Sequence, residues 1–282
     1  MTQPDTLPLK DEVKLVMHEL TPRIVEVVQI TDLAIGMRRV VFAGSELSGF
    51  RYVHMAPDDH VKLSFPSAET GEIVMPVLGP QGVERPDPNG PQPIFRDYTV
   101  RAFDPEKLEL TIDFVLHTHG VGGSWAAGAQ PGDRLGVLGP RGSHVYPVGY
   151  DWYLLAADET ALPAIGRWFE ELPVDREVVA FIEVADPEHE VPLPPRPGAT
   201  VRYVHRAPAE PGKTELLHKA IREYEFPSGE MFAWVAGEAN SLKPIRRYLR
   251  RELGVEKKQV KVDGYWRCGT VNHDHHEPED DD

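Results

Sequence analysis

Four consecutive residues combine side chains that suit the binding of a flavin nucleotide. In order they are Arg96, Asp97, Tyr98 and Thr99, inside a segment that alternates like a β-strand. Arg96 and Tyr98 would therefore project from one face. A guanidinium can pair bidentately with a diphosphate, and a phenol ring can lie against an isoalloxazine whose polar edge bonds Thr99. An ordinary strand with one surface arginine is the alternative.

A glycine-rich segment offers a second candidate site. Gly120, Gly122 and Gly123 follow the strand predicted at Glu109 to Leu116 and precede a short helix predicted to open at Ser124. Glycines let the backbone approach a ligand, and the free N–H groups at a helix start can bind an anion such as a diphosphate. A plain hairpin loop is the alternative interpretation.

Polar residues also follow two apolar strands in the second half of the chain. Asp158, Glu159 and Thr160 come after one strand, and Gly237 and Glu238 come after another. In α/β proteins, ligands bind in the crevice outside the carboxyl ends of such strands. The sequence has no Gly-x-Gly-x-x-Gly fingerprint, so a tight dinucleotide clamp is not predicted.

The composition narrows the classes of partner. The 282 residues carry a net charge of -15, which argues against nucleic acid or an anionic membrane because phosphate binding needs a basic surface. No apolar run approaches membrane-spanning length and the opening residues lack a signal-peptide core, so a cytoplasmic location is predicted. The single cysteine, Cys268, rules out an internal disulfide and is predicted to be a small packed residue.

The first half of the chain has the patterning of an antiparallel barrel. Short alternating segments between turns predict strands at Ile24 to Ile30, Met37 to Ala43, His60 to Phe65, Arg96 to Phe103, Glu109 to Leu116 and Arg134 to Leu138. The Gly- and Pro-rich stretch from Pro66 to Pro93 is predicted to be a long surface loop.

The second half alternates strands with helices, which predicts a mostly parallel sheet with helices on its faces. Strands are predicted at Trp152 to Ala157, Glu177 to Val184, Thr200 to His205, Met231 to Ala236 and Gln259 to Trp266, with helices at Ala161 to Phe169, Thr214 to Tyr224 and Ser241 to Leu253. We therefore expect a barrel domain over residues 1–148, an α/β domain over 149–271 and a disordered acidic tail over 272–282. The tail histidines are not predicted to form a metal site.

Eight motifs occur in order along nearly the whole chain: HVKLSFP (60–66), RDYT (96–99), DFVLH (113–117), SWA (124–126), QPGD (130–133), ADETA (157–161), WVAGEA (234–239) and GYWRCG (264–269). In these motifs the chain resembles the siderophore-interacting proteins, flavin-dependent ferric-siderophore reductases of the ferredoxin-NADP reductase superfamily. The resemblance implies an N-terminal FAD-binding barrel and a C-terminal NAD(P)H-binding lobe, with ferric siderophore bound in the cleft between them.

The resemblance also assigns residues to the cofactors: Arg96, Asp97, Tyr98, Thr99, Asp113, Val115, His117, Gly122, Gly123, Ser124, Asp158, Glu159, Thr160, Ala161, Gly237, Glu238, Tyr265 and Trp266. The first four would hold the flavin, the next three would border its adenine end or diphosphate, and the glycine-rich group would bind the diphosphate. Positions 120–123 replace the Gly-Pro-Ala-Ser-like stretch usual in the family, so backbone contacts are expected there. The remaining residues would face the flavin and nicotinamide, although Tyr265 and Trp266 equally suit a packed terminal strand.

The implied reaction needs few side chains. A nicotinamide donates two electrons and Fe(III) accepts one, so a flavin converts between them and no catalytic acid or base is predicted. Many ferric siderophores are anionic, and the cationic candidates for binding them are Lys62, Arg141 and Arg267, with a solvated strand lysine as the alternative for Lys62. The candidates for binding the 2′-phosphate of NADPH are Arg202, His205 and Arg206, which could equally be surface charges. NADH, NADPH and ferredoxin therefore all stay open as electron donors.

Two other functions fit the same features. One is an NAD(P)H-flavin or quinone oxidoreductase of the same fold, and the other is a carrier that binds ferric siderophore without reducing it. A monomer is expected in each case.

Overall fold

The computed structural model describes residues 12–79, 82–84, 90–117 and 120–270. Within these residues the chain forms two compact units, one spanning Lys14–Tyr146 and the other running from Pro147 onward. The tail predicted at 272–282 lies outside the described residues. Among the helices that the structure describes, none is both long and apolar enough to cross a membrane.

The first unit is built from antiparallel strands and one short helix. Its elements are β1 (Lys14–Met17), β2 (Pro22–Ala34), β3 (Met37–Ala43), β4 (His60–Phe65), β5 (Leu78–Gly79), β6 (Gly82–Val83), β7 (Ile94–Thr99), β8 (Ala102–Asp104), β9 (Glu109–Val115), α1 (Val121–Gly128), β10 (Arg134–Leu138) and β11 (Gly142–Val145). Seven strands form one sheet in the order β7-β4-β10-β2-β3-β9-β8, while β1 pairs with β11 and β5 pairs with β6. Strands β1 and β11 were not predicted from the sequence.

One chain segment supplies both edges of the seven-stranded sheet, so the prediction of a single strand over Arg96 to Phe103 is wrong. The N–H of Val100 donates to the Asp59 carbonyl at 2.7 Å, and the N–H of Arg101 donates to the Thr111 carbonyl at 3.0 Å. The chain therefore leaves β4 after β7 and joins β9 as β8. This bend curls the sheet into the predicted barrel-like form.

Alternation along the strands fills the core of this unit, as the period-2 pattern predicts. The buried apolar side chains include Val25 and Val27, Val40 and Phe42, Leu63 and Phe65, Leu110, Ile112 and Phe114, and Leu135 and Val137. The stretch predicted as a surface loop also packs on the sheet, because the Ser64 hydroxyl donates to the Val74 carbonyl at 2.7 Å. That stretch contains the β5-β6 hairpin, so the prediction of a plain loop is wrong in part.

The second unit is the predicted parallel α/β fold. Its elements are β12 (Trp152–Asp158), α2 (Leu162–Glu171), β13 (Glu177–Val184), β14 (Ala199–His205), α3 (Leu216–Arg222), β15 (Met231–Glu238), α4 (Ala239–Arg247) with a π-helical turn at Tyr248–Glu252, and β16 (Val260–Trp266). All pairs are parallel in the order β14-β13-β12-β15-β16. The fold class predicted for the chain is confirmed.

Element ends in this unit depart from prediction in ways that matter for the site. Strands β12 and β15 continue through Asp158 and Glu238, so these residues end strands and do not lie in turns. Helix α4 begins at Ala239, two residues before the predicted start, because the Glu238 carboxylate caps it by accepting the N–H of Ser241. Helix α3 is shorter than predicted at both ends.

Candidate functional site

The start of α1 presents free backbone N–H groups in the first unit. The helix begins at Val121 with Gly120 as its N-cap, and no side chain caps it. The N–H groups of its first three residues therefore lack an intrahelical acceptor. The prediction that the helix opens at Ser124 is wrong, and the N–H of Ser124 belongs to the helical ladder. The amides left without an intrahelical acceptor, and so open to an anion, are those up to Gly123.

Tyr98 lies directly against this helix start. A Cβ at Gly122 would fall 2.0 Å from the Tyr98 hydroxyl oxygen, so only glycine fits there, and Gly123 faces the ring of His117 in the same way. The Tyr98 ring packs 4.5 Å from that of Phe114, centroid to centroid. Burial raises the pKa of Tyr98, which keeps the phenol a neutral hydrogen-bond donor.

Arg96 is a half-buried cation on the same strand as Tyr98. Its guanidinium donates to the Phe95 carbonyl at 2.6 Å, and no carboxylate in the described part of the chain pairs with it. The next residue, Asp97, does have a partner of opposite charge, because both of its oxygens accept from Lys62 Nζ at 2.9 Å. The strand therefore offers an unneutralised guanidinium at Arg96, while Lys62 and Asp97 neutralise each other.

Three other residues assigned to the flavin lie on β7 and β9. Thr99 is buried at the end of β7, and Val115 is half-buried at the end of β9. Asp113 accepts from Arg39 through both oxygens, at 2.7 and 2.8 Å. Sequence reasoning did not single out Arg39, because it lies 74 positions from Asp113 and only the pairing of β3 with β9 brings them together.

The cationic substrate candidates are divided between the two units. Lys62 on β4 and exposed Arg141 belong to the first unit, and Leu138, three residues before Arg141, lies opposite Lys62 in the sheet. Arg267 belongs to the second unit, where its Nε is buried and finds no hydrogen-bond acceptor among the described residues.

A single carboxylate joins three strand ends in the second unit. Asp158 Oδ1 accepts the N–H of Thr160 at 2.9 Å and also the Thr160 hydroxyl. Its Oδ2 accepts the N–H of Glu238 at 2.9 Å and the indole N–H of Trp266 at 2.8 Å. Burial, and secondarily the charge of Glu159, raise the pKa of Asp158 to about 6.

Gly237 and Glu238 complete this junction. Gly237 has φ 152°, and a Cβ there would fall 2.7 Å from Asp158 Oδ2, so a glycine is required. The Glu238 carboxylate accepts the N–H of Ser241 at 2.8 Å and that of Cys268 at 3.0 Å. Burial acts to raise the pKa of Glu238, but these N–H donors outweigh it and lower the pKa. Cys268 itself is exposed, so its predicted packed position is wrong.

The basic residues predicted to meet a 2′-phosphate all have partners. Arg206 is buried and forms a bidentate ion pair with Glu159, one bond of which is 2.8 Å. His205 bonds Glu190 at 2.8 Å. Arg202 lies over the ring of Tyr224 at 4.6 Å, but it is exposed and has no carboxylate partner within the described ranges. Among the three, Arg202 alone offers an uncompensated charge to an anion.

Glu183 is a residue of this edge that sequence reasoning missed. It lies near the end of β13, accepts the Thr214 hydroxyl at 2.9 Å, and has a pKa raised by burial. A cavity of about 20 Å³ is lined by Asp158, Glu183 and Glu238, which is room for a single water. The sequence signal was available, because Glu183 lies near the end of an apolar strand just as Asp158 and Glu238 end theirs.

Tyr265 and Trp266 end β16 beside this junction. The Tyr265 ring packs edge-on against Trp234 at 6.4 Å, and Trp266 reaches Asp158 as described. Ala161 is buried at the start of α2. The structure therefore brings together the predicted residues Asp158, Thr160, Glu238 and Trp266.

Comparison with known proteins identifies both halves of the chain. The model of the siderophore-interacting FAD-binding domain matches residues 26–144, and that of the siderophore-interacting protein matches residues 150–269. The chain is 32% identical over 256 residues to the NADPH-dependent ferric-chelate reductase of Escherichia coli (strain K12), covering 90% of this chain and 96% of that protein. It is also 32% identical over 272 residues to the ferric vibriobactin reductase ViuB of Vibrio cholerae, covering 93% and 95%.

Solved structures of similar proteins indicate the same family. A siderophore utilization protein from T. fusca is 51% identical with a TM-score of 0.87, over 94% of this chain and 100% of that one. The siderophore-interacting protein SipS from Aeromonas hydrophila is 29% identical with a TM-score of 0.72, over 89% and 93%. The resemblance inferred from the motifs is confirmed, and the chain belongs to the siderophore-interacting protein family.

Proposed function

We propose that the protein is an FAD-containing, NADPH-dependent reductase of ferric siderophores. The relatives named as ferric-chelate and ferric vibriobactin reductases support this proposal, as does the match to an FAD-binding domain. The balanced reaction converts one NADPH and two Fe(III) to NADP⁺, one proton and two Fe(II). The iron, held by its siderophore, is the substrate.

The observation that carries the proposal is that Arg96 has no carboxylate partner among the described residues and belongs to the unit in which no side chain caps the start of α1. A diphosphate needs cationic and N–H donors, and these residues supply both. The donor set therefore fits FAD, with Arg96 and the amides up to Gly123 on the diphosphate and Tyr98 and Thr99 on the flavin. Bound FAD would supply the conversion between electron pairs and single electrons.

The nicotinamide nucleotide would bind at the carboxyl edge of the parallel sheet, near Asp158 and Glu238. This is the edge at which open α/β sheets bind nucleotides. The edge is rich in carboxylates, so an additional phosphate needs a cation, and we assign that role to Arg202, which lies three residues before the end of β14. This assignment makes NADPH the preferred donor, with NADH as the alternative.

The ferric siderophore would be recognised through its negative charge by Lys62 and Arg141 of the first unit, and the assignment of Arg267 stays a prediction. For Lys62, binding must compete with its exposed ion pair to Asp97, which is worth at most about 1 kcal/mol. The domain limits at residues 148 and 271, the cytoplasmic location, the monomeric state and a role for ferredoxin stay predictions.

Anaerobic stopped-flow spectroscopy tests this function. The purified flavoprotein is mixed with NADPH or NADH, and the reduced protein is then mixed with ferric chelates in the presence of a chelator that reports Fe(II). We expect the flavin absorbance to bleach with NADPH and to return as Fe(II) is trapped. Rapid reoxidation by a quinone without trapped iron would favour the quinone oxidoreductase. A colourless protein that refuses FAD but binds ferric siderophore would instead be a carrier.

A further inference from the structure

We propose that Asp158 is a positioning residue whose one carboxylate fastens the Trp266 indole and the Glu238 amide to the end of β12, and that binding of the electron donor at this edge depends on that hold. The identity of the donor rests on the function proposed above. The positioning role of Asp158 does not depend on that function.

The bonding of Asp158 leaves it no free acceptor for a cofactor. A carboxylate has about four acceptor positions. Two donors from Thr160 occupy Oδ1, and the Glu238 N–H and the Trp266 indole N–H occupy Oδ2. The direct cofactor contact implied by the family resemblance is therefore replaced by an indirect role, in which Asp158 sets where its neighbours lie.

The contact with Trp266 spans two strand positions in the sheet. Strand β15 lies between β12 and β16, and Asp158 reaches past it only because Gly237 has no side chain in the way. The two bonded residues are 108 positions apart in sequence. The Asp158 carboxylate accepts the indole N–H of Trp266 at 2.8 Å, so we infer that it fixes the orientation of the ring.

Burial, and secondarily the charge of Glu159, raises the pKa of Asp158 and makes this hold sensitive to pH. Glu159 on its own turn carries a charge balanced by Arg206 from the loop after β14, Glu238 comes from β15, and Glu183 from β13. His218 of α3 lines the same small cavity. A neutral carboxyl group is a weaker acceptor than a carboxylate, so protonation of Asp158 weakens both bonds to Oδ2.

Nuclear magnetic resonance of the indole N–H groups tests the hold without any enzymatic readout. The chain has five tryptophans, and Trp266→Phe identifies the signal of Trp266. We expect that signal to move with a midpoint near the Asp158 pKa of about 6. Asp158→Asn keeps the shape of the side chain but turns an NH₂ group toward existing N–H donors. The pH-dependent shift of the Trp266 signal should therefore disappear.

Donor binding supplies the second readout. The rate of anaerobic flavin reduction is measured against NADH concentration from pH 5 to pH 8, because the 2′-phosphate of NADPH itself titrates near pH 6. The Kd for NADH should rise several-fold on acidification with the same midpoint as the indole signal. In Asp158→Asn it should be raised at every pH and lose this dependence, whereas a merely structural residue would leave the pH profile unchanged.

Thr160→Val keeps the test decisive if Asp158→Asn does not fold. It removes one hydroxyl donor to the carboxylate and should raise the midpoint of the Trp266 signal by roughly one pH unit. A Trp266 signal that does not titrate, or that titrates equally in Thr160→Val, overturns the hold. A wild-type Kd for NADH that is flat with pH overturns the dependence of donor binding. If neither nicotinamide bleaches the flavin, the proposed function fails, and the indole titration still decides the hold.

Discussion

Tyr98 occupies the space that a side chain at Gly122 would need, with only 2.0 Å between a Cβ at Gly122 and the Tyr98 hydroxyl oxygen. Gly122→Ala should push the phenol away from the start of α1, destabilise the protein by about 1–3 kcal/mol through overpacking, and lower the FAD content. The ratio of flavin to protein absorbance and the urea-unfolding midpoint measure these effects. Gly128→Ala in the same helix is the control, because nothing lies within 4 Å of its Cβ position.

Arg96 should be required for retention of FAD. Loss of a charge-assisted bond to a phosphate weakens binding by roughly 10- to 100-fold, so Arg96→Ala should purify pale and recover colour only at high added FAD. Equilibrium titration with FAD gives the Kd. Lys107→Ala, which removes an exposed cation paired with Asp104, serves as the control. An Arg96→Ala protein that stays fully yellow through dialysis contradicts the assigned role.

Lys62 should bind the ferric chelate through the negative charge of the chelate. Lys62→Ala should raise the KM for an anionic ferric chelate roughly three- to tenfold while leaving kcat and the KM for a neutral chelate near their original values. Steady-state rates with chelates of different charge, at constant flavin content, make the comparison. Equal effects on anionic and neutral chelates would show that Lys62 acts through its ion pair with Asp97 and not on substrate.

Arg202 should distinguish the two nicotinamide nucleotides. Its guanidinium is exposed above Tyr224, so Arg202→Ala should raise the KM for NADPH roughly tenfold and leave that for NADH unchanged. Arg222 is a matched control in the same unit, because it also lies over an aromatic ring, that of Tyr248 at 4.5 Å. A uniform loss with both nucleotides would remove Arg202 from 2′-phosphate recognition.

Asp158 should give stability a defined dependence on pH. Folding raises its pKa from 3.8 to about 6, so between these values the folded protein binds more protons than the unfolded chain. The stability from this group is fully present below about pH 4 and is lost as the pH rises to about 6. The unfolding free energy of wild type minus that of Asp158→Asn should therefore fall over this range and then level off.

Urea unfolding at about pH 4, 5, 6 and 7 measures that difference. The exposed Glu225→Gln removes a surface carboxylate as the control. A wild-type advantage that grows between about pH 4 and pH 6 would mean that the pKa of Asp158 falls on folding.

Strand positions could be predicted because they depend on local patterning. Strands β3, β4, β10 and β13 have the predicted limits, since alternation or a continuous apolar run is visible within each segment. The break between β7 and β8 could not be predicted, because it arises where the segment changes partner from β4 to β9. Strands β1 and β11 are short and meet only across the fold.

The candidate site also has a part that could be predicted from the sequence and a part that could not. Arg96, Tyr98, Asp158 and Glu238 could be singled out by residue type next to a predicted strand. Their bonding partners could not be predicted, because Glu159 is 47 positions from Arg206 and Asp158 is 108 positions from Trp266. Those pairs depend on the strand order of the sheet. The role of Arg206 changes accordingly, from a candidate ligand for phosphate to the counterion of Glu159.

Strand β12 occupies the middle of the parallel sheet, with two strands on either side. The group at its carboxyl end, Asp158, bonds Glu238 of β15 and Trp266 of β16, so a substitution there disturbs the ends of three strands. Arg202 lies on the outermost strand β14 with an exposed side chain, so it can vary with little effect on the centre of the sheet. We therefore expect divergence in nucleotide preference to begin at the outer strand β14, which makes this strand the practical place to re-engineer the electron donor.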